Sequence, residues 1–367
     1  MKLLRDIRQE EFADKYIKAN KNGILNLCPR FGKCRVAIGI MKSLGVKDVL
    51  IAYPDKKVEA SWKEEFKIMK FKGVNIQYTT YLSLKKYNKN KYDLVILDEI
   101  HLLSEAQIGV VQGIKNRILG LTGTMSHWTE RTLSKTLGLN ILASYPMEIA
   151  INEGVITDYS ISVIKVDLDN KIKVDYKGKF STEKSKFDAY GYVINKLESQ
   201  KKETFFLRLS RMRVIQNSIA KLQATKNLLN RFKDERVLVF CGIIKIAEAI
   251  GCPVFHSKKK DKAVFENFSN GKGNHMAVIK IGNTGVTYKP LNRVIINYFD
   301  SNSENLTQKI NRCMAVEYNN PDKKADIWII TSNEEVELKW LEKSLEFFDK
   351  SKIKYYEPKG GNYSEVV

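Results

Sequence analysis

Short apolar runs and amphipathic stretches alternate along the first third of the chain. Residues 23–28 (GILNLC), 47–53 (KDVLIAY), 74–81 (VNIQYTTY), 93–101 (DLVILDEIH) and 117–124 (RILGLTGT) hold strand-like runs, with helix-like stretches at Cys34 to Leu44 and at 58–71 (VEASWKEEFKIMKF). The runs are nearly continuous, LVIL at 94–97 most clearly. A strand with one wet face alternates apolar and polar residues, so a continuous run predicts burial on both faces. Strands separated by helices then predict an α/β fold: a parallel sheet covered on both sides.

After about Ser144 the pattern changes. Residues 160–205 are extended and polar, and Arg208 to Phe232 is a long basic helix-like stretch. Alternation resumes at 236–242 (RVLVFCG) and continues through 275–281 (HMAVIKI), 293–299 (RVIINYF), a helix-like 306–318 (LTQKINRCMAVEY), 325–332 (ADIWIITS) and 334–348 (EEVELKWLEKSLEFF). This predicts two α/β units in series, 1–145 and 146–349, with a helical insertion near 160–232. The tail 350–367, which contains Gly360-Gly361, is expected to be weakly ordered.

Length agrees with two units, since 367 residues exceed what one hydrophobic core usually organises. No apolar run is long enough to span a membrane, and the opening MKLLRDIRQEEF meets charge too early for a signal peptide. A cytoplasmic protein is expected, in a host's cytoplasm if the gene is viral. Charge adds a functional hint: 62 Lys and Arg against 42 Asp and Glu give +20. Such an excess favours polyanions by counterion release, nucleic acid ahead of an anionic membrane surface. A lysine-rich proteome would produce the same excess for solubility alone, so composition leaves both open. The five cysteines (Cys28, Cys34, Cys241, Cys252, Cys313) are odd in number and lack any C-x-x-C pair. Reduced thiols are expected, and no structural metal.

Three strand ends carry candidate chemistry. After the first strand comes Pro29-Arg30-Phe31-Gly32-Lys33-Cys34. A glycine turn, a lysine and a helix start set N–H groups and an ammonium around a phosphate chain, although a lone Gly-Lys at a helix start is more often structural. The LVIL run ends in Asp98-Glu99-Ile100-His101. Carboxylates at the end of a central parallel strand lie where open α/β sheets bind ligands. There Asp98 can hold Mg²⁺ and Glu99 can polarise an attacking water. Thr122-Gly123-Thr124 could couple such a site to another surface or form a plain turn. Phe205 to Arg213 (FFLRLSRMR) interleaves aromatics with Arg208, Arg211 and Arg213. Base stacking and phosphate binding would use those letters, and so would a helix with a solvated basic face.

In this order the elements resemble superfamily 2 helicases of the DExH kind, over most of the chain. Gly32-Lys33 looks like motif I, Tyr53-Pro54 with Trp62 like motif Ia, and Thr79-Thr80-Tyr81 like the segment before motif II. Asp98 to His101 is similar to motif II and Thr122 to Thr124 to motif III. Residues 149–159 (IAINEGVITDY) resemble the passage into the second domain. Phe240-Cys241 resembles motif IV, Asn283-Thr284-Gly285 motif V and Gln308 to Arg312 motif VI. The RFGK form of motif I looks most like phage-encoded and restriction-type DNA helicases. Departures are Cys34 in place of Ser or Thr, Thr287 where motif V often has Asp, and Asn311 and Ala315 where motif VI has Gly and its second Arg. Arg8 stands where an adenine-recognising glutamine is expected, with Gln9 beside it.

The resemblance implies two RecA-like parallel-sheet domains that use ATP and Mg²⁺. Nucleotide contacts would come from Gln9, Gly32, Lys33, Cys34 and Gly285, and Asp98 would position the metal. Glu99 would orient water, Gln308 and Arg312 would act in catalysis with Arg312 as the arginine finger, and Thr122 and Thr124 would couple hydrolysis to movement. The implied activity is that of an ATP-dependent DNA helicase or translocase on single-stranded, forked or branched DNA. An RNA helicase, and a nucleotide-binding nucleic-acid clamp with weak turnover, are the alternatives.

Overall fold

The computed structural model describes residues 3–366 apart from 20–21, 57, 124, 177–178, 257, 259–260, 280–290, 302, 317–319, 321–322, 347 and 360–361. The chain divides into two compact units, one built on Met1–Thr157 and one on the residues from Asp158 onward. Both are α/β units with RecA-like, largely parallel sheets.

The first unit runs α1 (Leu4–Lys18), β1 (Asn22–Leu27), α2 (Lys33–Leu44), β2 (Asp48–Tyr53), α3 (Val58–Ile68), β3 (Asn75–Thr80), β4 (Leu94–Asp98), α4 (Glu105–Gln112), β5 (Arg117–Thr122), α5 (His127–Leu137), β6 (Ile141–Tyr145) and α6 (Met147–Asn152). Its six strands are parallel in the order β3-β2-β4-β5-β1-β6. All five residues of β4 are buried, as its unbroken apolar run predicts. Val95 and Leu97 pack in a core with Ile24, Leu50, Ile118, Ile108 and Val111, while the alternate Leu94 and Ile96 are buried on the other face.

The second unit opens with β7 (Asp158–Val166), the hairpin β8 (Val174–Tyr176) and β9 (Lys179–Ser181), and the helices α7 (Glu183–Ser199), α8 (Phe205–Gln216) and α9 (Ile219–Arg231). It continues with β10 (Val237–Cys241), α10 (Ile244–Ile250), β11 (Val254–Phe255), α11 (Lys262–Ser269), β12 (His275–Ile279), β13 (Arg293–Ile296), α12 (Ser303–Ile310), β14 (Lys324–Ser332), α13 (Glu335–Ser344), β15 (Ile353–Lys359) and β16 (Asn362–Val366). The sheet order is β11-β12-β10-β13-β14-β7-β15-β16, parallel except for the last pair.

Four details differ from what the sequence predicts. The units divide at Thr157/Asp158 instead of 145/146, because the segment after β6 is tied back to α1. Arg5 donates to the Val155 carbonyl at 2.6 Å, and Arg8 pairs with Glu153. The 160–232 region is not a uniform helical insertion. It starts with β7, a sheet strand between β14 and β15, and ends with α9, whose Ala224, Leu228 and Leu229 lie in the sheet's core. The basic stretch breaks at Asn217-Ser218, where the Ser218 side chain caps α9 by accepting from the Lys221 N–H. The tail 350–367 adds β15 and β16 to the sheet instead of remaining weakly ordered, since β7 offers a free ladder to Ile353–Tyr356.

Candidate nucleotide site

In the first unit the ends of β1, β4 and β5 meet at the carboxyl edge of the sheet, with Asn26 opposite Thr122 and Asp98 opposite Leu121. The turn from β1 into α2 is fixed from below. Phe31 is fully buried between the rings of Phe12 (5.5 Å) and Tyr145 (4.9 Å). Gln9 donates from Nε2 to the Phe31 carbonyl at 2.8 Å. Gly32 takes φ +98°, a conformation that favours glycine, and a Cβ there would come within 2.6 Å of Gln9 Nε2 and push that side chain off its bond to Phe31. Arg8 turns elsewhere, to Glu11 and Glu153, and Tyr145 donates to the same Glu153 at 2.6 Å. Of the two candidates on α1, Gln9 is the one at the turn.

Lys33, the first residue of α2, reaches the end of β4, where its Nζ lies 2.5 Å from Glu99 Oε1. Glu99 itself adopts φ +53°, a conformation that a non-glycine residue takes at some cost. Asp98 points to the other side and accepts from Trp62 Nε1 at 2.8 Å, while Tyr81 donates to the Asp98 carbonyl at 2.6 Å. Trp62 and Tyr81, both expected near the motifs from the sequence, thus serve as supports for Asp98. His101 Nδ1 lies 2.8 Å from Thr122 Oγ1 and 3.6 Å from Glu99 Oε2, which links the end of β5 to the end of β4 through one imidazole. At Gly123 an added Cβ would stand 3.3 Å from Lys33 Nζ and 3.4 Å from the Leu27 carbonyl, so a larger residue would crowd the ammonium.

The electrostatics separate the two carboxylates. Burial, and next the charge of Glu99, push Asp98 up to about 6. Burial would also raise Glu99, but the Lys33 ammonium and His101 outweigh it and hold Glu99 below the ordinary glutamate value. Lys33 is kept protonated, because Glu99 and Asp98 overcome its desolvation. Burial lowers His101 and favours the neutral ring. Burial and the Asp98 charge push the Cys34 thiol well up, leaving a neutral –SH where an oxygen would better suit Mg²⁺. Among the described residues no group of three or more His, Cys, Asp or Glu could hold a metal by itself. Mg²⁺ does not require one, since it is usually held by one or two carboxylates plus phosphate oxygens. Asp98 suits that role: it is buried, braced by Trp62, and raised by a neighbouring negative charge that a cation would offset.

In the second unit, Gln308 lies on α12, and Arg312 follows the helix end and is largely buried. The expected helix over 306–318 stops at Ile310, so Arg312 and Ala315 do not share a helical face. Gly285, with the rest of motif V and Thr287, lies outside the described residues, as does Thr124. Arg208 donates to Glu198 at 3.0 Å, Arg211 stacks on Phe187 at 4.0 Å, and Arg213 is exposed. A fully buried ion pair joins Lys221 to Glu337 at 2.5 Å, and sequence reasoning missed it because residues so far apart leave no pattern.

Residues 220–316 match the family model of the helicase conserved C-terminal domain. In structure the chain is similar to the helicase domain of Hef from Pyrococcus furiosus, at 12% identity over 94% of this chain and 100% of that one, TM-score 0.55. It is similar also to a Saccharomyces cerevisiae Dbp5 variant bound to RNA and ADP BeF3, at 12% identity over 95% and 89%, TM-score 0.58. A third likeness is to the ATP-dependent type ISP restriction-modification enzyme LlaBIII bound to DNA, at 12% identity over 99% of this chain and 32% of that one, TM-score 0.63. No curated protein matches the chain in sequence. At such identities the likeness shows the fold alone: two RecA-like α/β units, the second containing the residues that match the helicase C-terminal model. No helix among the described residues is long and apolar enough to cross a membrane.

Proposed function

We propose that this chain is an ATP-dependent helicase or translocase working on DNA. The observation that carries the reading is the Lys33–Glu99 contact with Asp98 behind it, at the carboxyl edge of a parallel sheet. Lys33 and the Gly32 turn would receive the β- and γ-phosphates, and Asp98, with phosphate oxygens, would hold Mg²⁺. When bound, the metal supplies charge neutralisation on the phosphates. An arriving triphosphate competes with Glu99 for the Lys33 ammonium, and Glu99, once released, is a carboxylate free to orient water. Gln9 would hold the turn that faces the nucleotide, Cys34 would line it, and Thr122 would report the state of Glu99 through His101. Gly285 keeps the nucleotide role, and Thr124 the coupling role, implied by the resemblance. Arg312, aided by Gln308, is proposed as the group that stabilises charge on the transferred phosphoryl.

Support for DNA over RNA comes from the RFGK form of motif I, while the +20 charge favours nucleic acid of either kind. The neutral Cys34 thiol favours a second reading, a nucleotide-dependent clamp that turns over slowly. ATP turnover measured with single-stranded, duplex and forked DNA, and with RNA, separates the two. Stimulation by DNA is expected. Stronger stimulation by RNA would assign an RNA helicase, and no stimulation by either would assign the clamp. Arg312→Ala is expected to lower turnover by on the order of 10³-fold or more while ATP binding changes little. Parental turnover in that variant would remove Arg312 from the mechanism.

A further inference from the structure

The start of α8, just after the turn from α7, exposes two adjacent aromatic side chains that the fold does not use. Phe205 and Phe206 are 57% and 77% exposed, their rings edge to face at 5.5 Å. The hairpin beneath them is firmly built. Glu198, near the end of α7, accepts from Thr204 Oγ1 at 2.9 Å and from Arg208 Nε at 3.0 Å, which staples the two helices at the turn. Further down, Arg211 lies 4.0 Å over the Phe187 ring, and Gly191 leaves room for its guanidinium. The Phe205 N–H is met by Glu203 at 2.8 Å. Arg208 and Arg211 are therefore structural struts of the hairpin, and the aromatic pair is what it presents.

Charge indicates what covers that pair. Residues 196–213 contain six cations (Lys196, Lys201, Lys202, Arg208, Arg211, Arg213) and two carboxylates, Glu198 and Glu203, of which Glu198 is already paired with Arg208. Lys201 and Lys202 are exposed in the turn that leads into the two phenylalanines. A second copy of a +20 chain would be repelled here, and an apolar protein surface would desolvate both lysines without compensation. Single-stranded nucleic acid satisfies both features, because every base has a π-face and every linkage a phosphate. We propose that Phe205 and Phe206 form a base-stacking site for single-stranded nucleic acid, with Lys201 and Lys202 taking the flanking phosphates. The inference rests on the proposed nucleic-acid function and adds a contact built wholly within the second unit. Duplex interiors keep their base faces stacked, so the site favours single strands.

The test is fluorescence anisotropy of a labelled oligothymidylate with the full chain and with Phe205→Ala/Phe206→Ala, whose fold is checked by a melting curve. The alanine variant is expected to bind roughly 5- to 150-fold more weakly, as for the loss of one stacked base. Phe205→Tyr/Phe206→Tyr should restore affinity, since a tyrosine ring stacks as well. A 2-aminopurine placed in the strand should be quenched by the wild-type chain and not by the alanine variant. If the wild-type chain binds DNA and the alanine variant binds it equally well, this site is overturned and the proposed function stands. If the wild-type chain binds no nucleic acid, both fall. Self-association that disappears in the alanine variant while DNA affinity is unchanged would assign the patch to a second copy and overturn the proposal.

Discussion

At the residue scale, Asp98 and Glu99 are neighbours in sequence with opposite environments. Asp98 is raised from an ordinary 3.8 to about 6, so its ionised form at neutral pH opposes folding. The native state binds more protons than the unfolded chain between those two values. This residue's contribution to stability is therefore fully present below about pH 4, declines as pH rises to about 6, and is flat above. Asp98→Asn is expected to stabilise the first unit at pH 7 by up to about 3 kcal/mol, because the amide oxygen still accepts from Trp62 and the buried charge is gone. Thermal melts of both proteins across pH 4–8 check this: the difference should grow up to about pH 6 and then level off, with Mg²⁺-dependent ATP turnover lost. A wild-type protein more stable than Asp98→Asn at pH 7 would show that the carboxylate is better solvated than its burial implies. Asp98 and Glu99 stood out in the sequence as candidates, because a plain solvated loop does not call for two carboxylates and a histidine directly after a buried apolar run, whereas Lys33 drew its candidacy mainly from the resemblance. The Gln9–Phe31 bond was not legible there, since a side chain donating to a carbonyl 22 residues away leaves no local pattern.

At the element scale, the strands were legible where burial on both faces forced continuous apolar runs. In the helix α1 the buried stripe Gln9, Phe12, Ala13 and Tyr16 has apolar residues at three of its four positions and a glutamine at the one that reaches the turn before α2, so the pattern marks a helix but not the role of Gln9. The last strands were missed because β15 is mostly half-buried or exposed, and its residues need not be apolar. The elements of the second unit are joined by the buried Lys221–Glu337 pair, which ties α9 to α13. Glu337 Oε2 also accepts from the Ser332 N–H at 2.7 Å, and Lys221 sits 5.5 Å over the Phe299 ring. Removing one partner strands the other charge without water. Lys221→Met is expected to cost about 3–5 kcal/mol in urea unfolding of this unit, and Lys221→Met/Glu337→Gln to recover most of the loss. Gln at 337 keeps an acceptor for Ser332. A single variant no less stable than the double would mean that water reaches the pair.

At the scale of the whole molecule, the proposed nucleic-acid partner would be attracted by the +20 charge through counterion release. Binding to duplex DNA should weaken with salt, log K falling against log [salt] by about 0.9 for each phosphate neutralised. A slope near zero in a salt titration would make the charge a solubility feature only. The two-unit organisation was legible because strand–helix alternation restarts after the change near Ser144. The boundary was not, because what holds 146–157 to the first unit is Arg5 and Arg8 on α1. The central claim is that Lys33, Asp98 and Glu99 form an ATP-hydrolysing centre driven by nucleic acid. ATP binding and DNA-stimulated turnover, measured side by side for the wild-type chain and Glu99→Gln, test it most directly. Glu99→Gln is expected to bind ATP and DNA like the wild type and to lose nearly all turnover; wild-type turnover in that variant would take the hydrolytic role away from Glu99.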